Sequence, residues 1–536
     1  MKKLIAFLLG ITVCLSAFVG CMGDTSVRDS SGNVVTDQSK IVEISVWNNG
    51  YGIAWLNALA NEFEKLNPGT GVRVVPHPKS DDFQNNIGLT TNETDLYFNY
   101  APHYLNYKQY LEPLDDIIDA PAAEGETKTI AQKLGADVMS VLGSDDGTDT
   151  NYVLTYSNGT GGIVYNSKLF TQYGLKVPKT TEELENLIML IQEETPYKGT
   201  GGNDKSVKYP LLHYPGYWQG VAVTWWLQYS GAEEFNKFFT FEGLSGETLS
   251  NDLQTVYQQE GMQVALDALY SIVTIENATH PISNSTDSDN IVYREKQDYF
   301  IMKENALMYP CGSFLETEVL QNNQIDPKLF NNFSTMRTPV VSALAKKLSK
   351  VDAKDKDLRV LIDYVDAVSV GDTSVVKPDW ATPTDVELVT NARFATTGQV
   401  SAQTVCIPKY ADGKALAKKF LQFMYSDEGM KIFAEAQRCF LNADFDNSAV
   451  KDTIDTSKWS TYSKSTFDLS KHDKMVPQNL NHPVRYKENL REIFSVSPES
   501  VFTRSEQPLT VSAFLSSEWT KFKNDYQGKY ASYFNK

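Results

Sequence analysis

Aromatic side chains are the most abundant groups in this sequence that could contact a ligand directly. The 536 residues include 28 Tyr, 26 Phe and 8 Trp. Core packing explains most of them, but an aromatic ring can also cover the apolar C–H face of a pyranose. Trp47, Asn48 and Tyr51 follow an alternating apolar run, where binding loops lie in open α/β sheets. Asp95 and Tyr97 lie at the end of a second predicted strand. We predict that these two residues bind ligand together with Trp47, Asn48 and Tyr51.

The most aromatic part of the sequence, residues 210–240, supplies four further candidates for the binding site: Tyr217, Trp218, Trp225 and Trp226. Trp225 and Trp226 are adjacent and cannot face the same way on a regular element. We therefore expect one of them to be a ligand platform and the other a packing residue. For every aromatic candidate, a place in the core is the alternative. Trp55 has helical spacing and is predicted to be core.

Motifs for catalysis and metal binding are absent from the sequence. The six histidines show neither HxH nor HExxH spacing, and no GxSxG, P-loop or helix-opening GxGxxG occurs. We therefore predict no cofactor and no metal, and an enzyme is not indicated. Two acidic loops, 144–151 and 444–455, are rich in oxygen ligands. Ala449 stands where a calcium loop needs Gly, so solvated loops are the preferred interpretation and calcium stays an alternative.

The N-terminus is typical of an exported chain. Lys2 and Lys3 precede an apolar run over residues 4–19, which is too short for a comfortable membrane span. Gly20-Cys21 then resembles the bacterial lipobox, in which the cysteine receives a diacylglycerol, although Phe18 replaces the usual Leu, Val or Ile. We predict a signal peptide over 1–20, lipidation at Cys21 and a flexible tether over 21–40. An ordinary signal peptide cut elsewhere is the alternative.

The composition of the chain limits the classes of partner that it could bind. The net charge of -18 argues against nucleic acid, because phosphate binding needs a basic face. Apolar content of 41% and charged content of 22% are typical of a globular protein. Beyond the leader and Cys21, three widely spaced cysteines remain, at 311, 406 and 439. One disulfide or three buried thiols fit this count equally.

The periodicity of the apolar residues predicts an α/β fold. The apolar residues of 41–47 and 72–76 predict two strands, and a segment with helical spacing lies between them. Strand, helix and strand in this order are the unit of a parallel sheet. Thr180 and Glu183 have capping-box spacing before a helix through Ile191. Further helical patterns cover VVSALAKKL at 340–348 and DLRVLIDYVDAV at 357–368. ALMYPCGSFLETEVL at 306–320 predicts a strand, a Gly turn and a helix, and QTVCIPKY at 403–410 predicts a strand.

Three segments resemble one family. They are GGIVYNSKLFTQYGLKVPKTTEELENLI at 161–188, ALMYPCGSFLETE at 306–318, and ALAKKFLQFMYSDEGMKIFAEA at 415–436, a helix with a break near Asp427–Gly429. In this order they resemble extracellular solute-binding proteins of ABC sugar importers, the group that includes the maltose-binding protein. The departures are an insertion near 343–398 and a C-terminal region without a clear counterpart.

The resemblance implies a two-lobed, periplasmic-binding-protein-like α/β fold with an interlobe cleft and hinge strands. Lobe 1 would comprise residues 41–155 and 400–455. Lobe 2 would comprise residues 156–399 and most of the C-terminal region, 456–536. The chain would be a monomer that closes on its ligand.

The resemblance also implies a function and a site. Phe314 occupies the position of a stacking Trp, and the segment from Tyr217 to Trp226 falls where the maltose-binding protein has a carboxylate and a stacking aromatic. The carboxylate is absent here. The implied function is capture of a carbohydrate, an oligosaccharide by preference, for an ABC permease at the outer face of a bacterial cell membrane. An exported glycoside-processing enzyme, a receptor that presents ligand to a surface sensor, and a binding protein for a non-sugar solute are the alternatives.

Overall fold

The computed structural model describes residues 26–534, apart from 80–81, 100–103, 144–149, 158–160, 195–207, 242–251, 285–291, 322–324, 401–402, 439–444, 489, 491–492 and 505. Cys21, Cys439 and most of the acidic loop at 144–151 therefore lie outside the described residues. Within the described part of the chain, every helix is too short or too polar to span a bilayer.

The first elements are the strand, helix and strand that the apolar spacing predicts. Strand β1 (Ile41–Trp47) leads to helix α1 (Ala54–Leu66) and to strand β2 (Gly71–His77), which pairs in parallel with β1. Trp55 is buried on the inner face of α1, so its prediction as a core residue is confirmed. The first passage through lobe 1 then contains α2 (Asp82–Asn86), β3 (Leu96–Asn99), α3 (Asp115–Ile118), α4 (Ile130–Leu134), α5 (Ala136–Leu142) and β4 (Leu154–Thr155).

Lobe 2 begins where the chain leaves β4. Its elements are β5 (Gly161–Asn166), α6 (Ser167–Tyr173), α7 (Thr181–Glu194), β6 (Tyr209–Leu211), α8 (Tyr217–Ser230), α9 (Ala232–Thr240), α10 (Asp252–Tyr257), α11 (Glu260–Val273), α12 (Val292–Lys303), β7 (Ala306–Gly312), α13 (Leu315–Leu320) and β8 (Phe333–Met336). The predicted helix through Ile191 is confirmed as α7. Its capping differs in detail, because the Glu183 carboxylate accepts from the Lys179 N–H and not from Thr180.

The insertion near 343–398 packs on lobe 2. It contains a 3₁₀ helix (Ser342–Lys347), α14 (Asp355–Ser369), α15 (Pro383–Phe394) and β9 (Ala395–Gly398). The helical stretch predicted at 340–348 is therefore a short 3₁₀ turn. Leu361 of α14 and Val389 of α15 join the lobe 2 core, and Arg393 holds Asp366 through two hydrogen bonds of 2.8 and 3.1 Å.

The chain then returns to lobe 1 and crosses back. The return contains β10 (Thr404–Cys406), α16 (Lys414–Tyr425) and α17 (Asp427–Gln437). The predicted break between these helices is confirmed at Ser426, which ends α16 and caps α17 by accepting from the Gly429 N–H. The last elements are α18 (Thr461–Ser470), β11 (Lys474–Pro477), α19 (Pro483–Lys487), α20 (Pro498–Phe502), α21 (Val511–Asp525) and α22 (Ala531–Phe534).

Two sheets and two main cores divide the described residues into lobes. The sheet of lobe 1 has the strand order β2-β1-β3-β10-β4, and the sheet of lobe 2 has the order β6-β7-β5-β8. Strands β9 and β11 pair with each other in a separate two-stranded sheet. One core draws its residues mainly from 42–156 and 400–450, and the other from 163–395 and 480–534. The prediction of two α/β lobes is confirmed, whereas the residue numbers at which they divide stay a prediction.

The segment predicted as a flexible tether contains a hairpin among its described residues. Arg28 and Val34 form an antiparallel bridge, and the Val35 N–H donates to the Val27 carbonyl at 2.9 Å. Val27 lies so close to Gly71 that a Cβ at that position would collide with its side chain. This hairpin, residues 26–36, corrects the prediction, because a Gly at the start of β2 lets it dock on lobe 1.

Candidate functional site

A cavity of about 500 Å³ lies where the lobes meet. Five of the residues predicted to bind ligand line it: Trp47, Asn48, Tyr51, Tyr217 and Phe314. Six residues that were not predicted complete the lining: Asn49, Gly50, Pro78, Arg294, Glu318 and Gln403. A volume of this size is typical of a small-molecule site.

Lobe 1 contributes the end of β1 and the loop after it. The Asn48 N–H donates to the carbonyl of His77 at 2.8 Å, which holds the loop beside β2. The Asn49 side chain accepts from the Tyr51 N–H at 3.0 Å and so closes a tight turn. Trp47 and Tyr51 therefore reach the cavity from the carboxyl end of a parallel strand, the edge where ligands bind in open α/β sheets.

Lobe 2 contributes two aromatic rings at helix starts. Phe314 is the residue directly before α13, and Tyr217 is the first residue of α8. Phe314 makes edge-to-face contacts with Tyr51 at 5.8 Å and with Tyr217 at 6.3 Å between ring centroids. The three rings thus form one cluster that spans both lobes, with geometry that aromatic pairs favour.

Amide and carboxylate groups surround this aromatic cluster. The buried Gln297 donates from Nε2 to Glu318 Oε2 at 2.7 Å and lies 3.4 Å from the Tyr217 hydroxyl. Across the cavity, Gln403 Oε1 accepts from Asn49 Nδ2 at 3.1 Å and from the Tyr156 hydroxyl at 2.9 Å. Planar polar groups held in this way can bridge neighbouring hydroxyls of a ligand.

The lobes touch at one side of the cavity. Gln321 Nε2, just after α13, donates to the Asn49 carbonyl at 3.0 Å, and Arg294 donates to Gln321 Oε1 at 3.1 Å. Beside this contact, a Cβ on Gly50 would lie 2.9 Å from Glu318 Oε1 and 3.3 Å from the Phe314 ring. The loop after β1 therefore approaches α13 so closely that a side chain at position 50 would have to displace the Glu318 carboxylate.

Three predicted aromatic residues lie in the core instead of the cavity. Trp218, Trp225 and Trp226 are 0%, 0% and 1% exposed. Trp225 Nε1 donates to the Pro339 carbonyl at 2.9 Å, and Trp226 Nε1 donates to Gln259 Oε1 at 2.8 Å. The prediction of a ligand platform here is corrected, because α8 is covered on nearly all sides and both neighbouring indoles pack inward.

Asp95 and Tyr97 also lie away from the cavity. Asp95 accepts from the N–H groups of Glu43 and Gly413, both at 2.9 Å, and burial raises its pKa to about 6. The Tyr97 hydroxyl accepts from Asn92 at 2.8 Å, and burial raises its pKa to about 12. Strand β3 begins at residue 96, so Asp95 stands at its amino end, opposite the binding edge, and its prediction as a ligand residue is corrected together with that of Tyr97.

Some of the missed lining residues had a signal in the sequence. Glu318 follows Phe314 by four residues, a spacing that places both on one face of a helix. Arg294 and Gln403 had none, since each arrives from an element remote in sequence from the others.

Neither a disulfide nor a metal site is found among the described residues. Cys311 and Cys406 are free and buried, and burial raises the pKa of both thiols, which keeps them protonated. No cluster of three or more His, Cys, Asp or Glu side chains in this part of the chain could hold a metal ion.

Comparison with known proteins finds a family match over part of the chain. The family model of bacterial extracellular solute-binding proteins matches residues 49–278. The comparison with curated protein sequences finds no match.

Three solved structures illustrate the likeness in fold. A probable secreted solute-binding lipoprotein of Streptomyces coelicolor has a TM-score of 0.53 at 13% identity, over 90% of this chain and 98% of that one. Maltose-bound MalE3 of T. maritima has a TM-score of 0.52 at 12% identity, over 90% and 99%. The GacH receptor of Streptomyces glaucescens, solved unliganded and with acarbose, has a TM-score of 0.51 at 15% identity, over 91% and 99%. At these identities the likeness establishes the two-lobed fold.

Proposed function

We propose that this protein is a bacterial extracellular solute-binding protein that captures a carbohydrate between its lobes and delivers it to the permease of an ABC transporter. The observation that carries the proposal is the aromatic cluster of Tyr51, Tyr217 and Phe314, which lines a cavity of about 500 Å³ from both lobes. A sugar offers apolar C–H faces and many hydroxyls but little charge. Its affinity must therefore come from ring contacts and bridging hydrogen bonds.

The charges in the lining favour a neutral ligand. Among the described lining residues, Arg294 and Glu318 are the charged side chains, one of each sign. The remaining polar side-chain groups are amides, hydroxyls and the Trp47 indole N–H. Two similar structures carry sugar-type ligands in their own right, since MalE3 was solved with maltose and the GacH receptor with acarbose. Both are oligosaccharide-sized ligands, which supports an oligosaccharide for this chain.

Lobe closure would couple binding to transport. The hydrogen bond from Gln321 to the Asn49 carbonyl already joins lobe 2 to lobe 1. A ligand that touches both lobes stabilises the closed form by its differential affinity for closed over open. The permease would then select the closed monomer.

Lipid attachment at Cys21 would hold the protein at the outer face of the bacterial membrane. The hairpin of residues 26–36 is docked on lobe 1, so only four residues lie between Cys21 and its start. The five Cα–Cα steps from Cys21 to Ser26 span at most about 17 Å. Lobe 1 would therefore stay close to the membrane that holds the permease.

A glycosidase is the competing function for a sugar cleft. Glycoside hydrolysis ordinarily uses a pair of carboxyl groups that flank the scissile bond. Glu318 is the one carboxylate among the described residues of the cavity lining. Binding without turnover is thus the function that this lining favours, in agreement with a family of solute receptors.

The test is a ligand panel on the mature protein. Thermal shift with maltose, raffinose and acarbose, and with dipeptides and amino acids as the non-sugar arm, is expected to show stabilisation by a sugar only, because a ligand that binds the folded state raises its stability. Product analysis after overnight incubation should recover the sugar intact. Stabilisation by the non-sugar arm alone, or release of shorter sugars, would overturn the proposal.

A further inference from the structure

We infer that Arg438 of lobe 1 is a positioning residue for ligand capture, because through the buried carboxylate of Glu316 it holds α13 of lobe 2 against lobe 1. This inference rests on the proposed capture of a ligand between the lobes. It adds a contact outside the cavity lining that sets how the lobes meet. Three observations carry it: the ion pair joins the lobes, its carboxylate is buried in lobe 2, and α13 forms part of the cavity wall.

The ion pair between Arg438 and Glu316 crosses from one lobe to the other. Arg438 ends α17, which packs on α1 of lobe 1, and its N–H donates to the Ala434 carbonyl at 2.7 Å. Its Nη1 donates to Glu316 Oε1 on α13 of lobe 2. Because the arginine backbone is fixed to the end of α17, a movement of lobe 1 away from lobe 2 would pull the guanidinium off the carboxylate.

The Glu316 carboxylate is held from the side of lobe 2 as well. The residue is only 3% exposed, and Oε2 accepts from Ser460 Oγ at 2.7 Å and from Ser463 Oγ. Both serines lie at the start of α18, where the helix dipole favours a negative charge. The serine hydroxyls leave Oε1 for lobe 1, and Arg438 is the side chain among the described residues that donates to it.

Helix α13 carries the position of Arg438 to the cavity. Phe314 directly precedes the helix, and its ring centroid lies 5.8 Å from that of Tyr51 in lobe 1. Gln321, directly after the helix, donates to the Asn49 carbonyl of lobe 1 at 3.0 Å. Glu316 stands between these two residues in the chain. Lobe 1 therefore holds α13 before its start, within its first turn and after its end, and the ion pair is the charged contact of the three.

Loss of the arginine acts on the two arrangements of the lobes differently. With the lobes together, Arg438→Ala leaves a buried carboxylate without its cation, which is costly. With the lobes apart, the ion pair is already broken in the parent and water reaches the carboxylate, so the substitution costs little there. The closed arrangement is therefore the one that loses stability. The apparent affinity for a ligand falls with the fraction of molecules that can close on it.

The experiment compares the parent with Arg438→Ala by titration calorimetry and by small-angle scattering. The probe is whichever of maltose, raffinose and acarbose the parent binds. We expect about tenfold weaker affinity and faster dissociation in the variant, although Arg438 lies outside the cavity lining. The radius of gyration without ligand should be larger in the variant wherever the free parent is partly closed.

A double-mutant cycle tests whether Arg438 acts through Glu316. Glu316→Gln keeps the size of the side chain and removes its charge, so it should weaken the same sugar severalfold. The double variant should bind no more weakly than Arg438→Ala alone, because the contact is already lost. Additive losses would show that the two residues act independently and would overturn the inference. If Arg438→Ala does not fold, Arg438→Lys takes its place in the cycle, since lysine keeps the charge and loses the guanidinium geometry.

Arg393→Ala is the matched control. Arg393 is also a buried arginine, but it donates to Asp366 at 2.8 and 3.1 Å within lobe 2 and lies outside the cavity lining. Its removal should lower the urea midpoint and leave the sugar affinity and the radius of gyration equal to those of the parent. An equal loss of affinity in Arg393→Ala would assign the effect to general destabilisation and would refute the role of Arg438.

The possible failures are distinguishable. If the parent binds a sugar and Arg438→Ala binds it equally well, the proposed function stands and the role of Arg438 is refuted. If the parent binds no sugar, the proposed function falls and scattering without ligand decides the inference. A larger radius in Arg438→Ala would then support it, and equal radii would refute it.

Discussion

Replacement of Phe314 by Ala tests the aromatic cluster most directly. The ring lies between Tyr51 of lobe 1 and Tyr217 of lobe 2, with centroid distances of 5.8 and 6.3 Å. Its removal leaves α13 without a ring at the cavity wall but keeps the backbone and Glu318. We therefore expect a loss in binding that is large compared with the loss in stability.

The magnitude follows from the contacts. An aromatic pair contributes about 0.5–1.5 kcal/mol beyond the area it buries, and a ring–sugar stack is of the same order. Adding the apolar area that the ligand no longer buries brings the loss above about 1.4 kcal/mol, which is tenfold in Kd. Phe314 is only partly buried, so the stability loss should fall below the roughly 3–5 kcal/mol of a fully buried Phe or Trp.

Trp225→Ala is the matched control for this variant. Trp225 is fully buried in the lobe 2 core, and its indole donates to the Pro339 carbonyl. It should lose about 3–5 kcal/mol in stability and, in the fraction that folds, bind the sugar within a few-fold of the parent. Calorimetry and urea denaturation on both variants measure the two quantities. Unchanged affinity in a folded Phe314→Ala would refute the stacking role, and so would an equal loss in Trp225→Ala.

Three further predictions test other parts of the molecule. Cys21→Ala should release the protein from the membrane fraction, and mass spectrometry of the parent from its native host should show the leader removed and acyl mass added; a mature chain that starts elsewhere would contradict lipidation. Gly71→Val should displace the hairpin of residues 26–36 by collision with Val27 and make it sensitive to limited proteolysis, whereas an equally resistant variant would show that the hairpin is held by other contacts. Burial raises the pKa of Asp95 from 3.8 to about 6, so between these pH values the folded protein keeps a proton that the unfolded chain releases. The stability of the parent relative to Asp95→Asn should therefore fall as the pH rises from about 4 to 6. Urea midpoints of the two proteins that run parallel across this window would refute the prediction.

The regular elements were largely predictable from local patterns. Alternation gave strand β1, and apolar spacing gave α1, α7 and the broken pair α16 and α17, because a buried face repeats at the period of its element. The 3₁₀ turn at Ser342–Lys347 was expected to be a helix, since its apolar spacing does not reveal how short it is. The hairpin of residues 26–36 was missed because its polar composition resembles a tether, and its docking depends on Gly71, which is remote in sequence.

The candidate site was only partly predictable, and for most of its aromatic residues the reason is their place within an element. Trp218, the second residue of α8, is the exception, because it is buried although it lies at a helix start. Aromatic type alone did not separate Phe314 from Trp225, since both are large rings near glycines and helices. Their places within the elements do separate them. Trp47 ends β1, Tyr217 opens α8 and Phe314 precedes α13, whereas Trp225 and Trp226 lie in the middle of α8.

This difference has a physical cause. A helix that is covered on nearly all sides buries its middle residues, whichever way they point. The ends of strands and helices stop at the edge of a lobe, and in this fold the edges of both lobes meet at the cavity. A large aromatic at an element end beside a glycine turn is therefore a better candidate for the cleft than one in an uninterrupted helix. Asp95 is excluded for a different reason. It stands at the amino end of β3, whereas Trp47 reaches the cavity from the carboxyl end of the parallel strand β1.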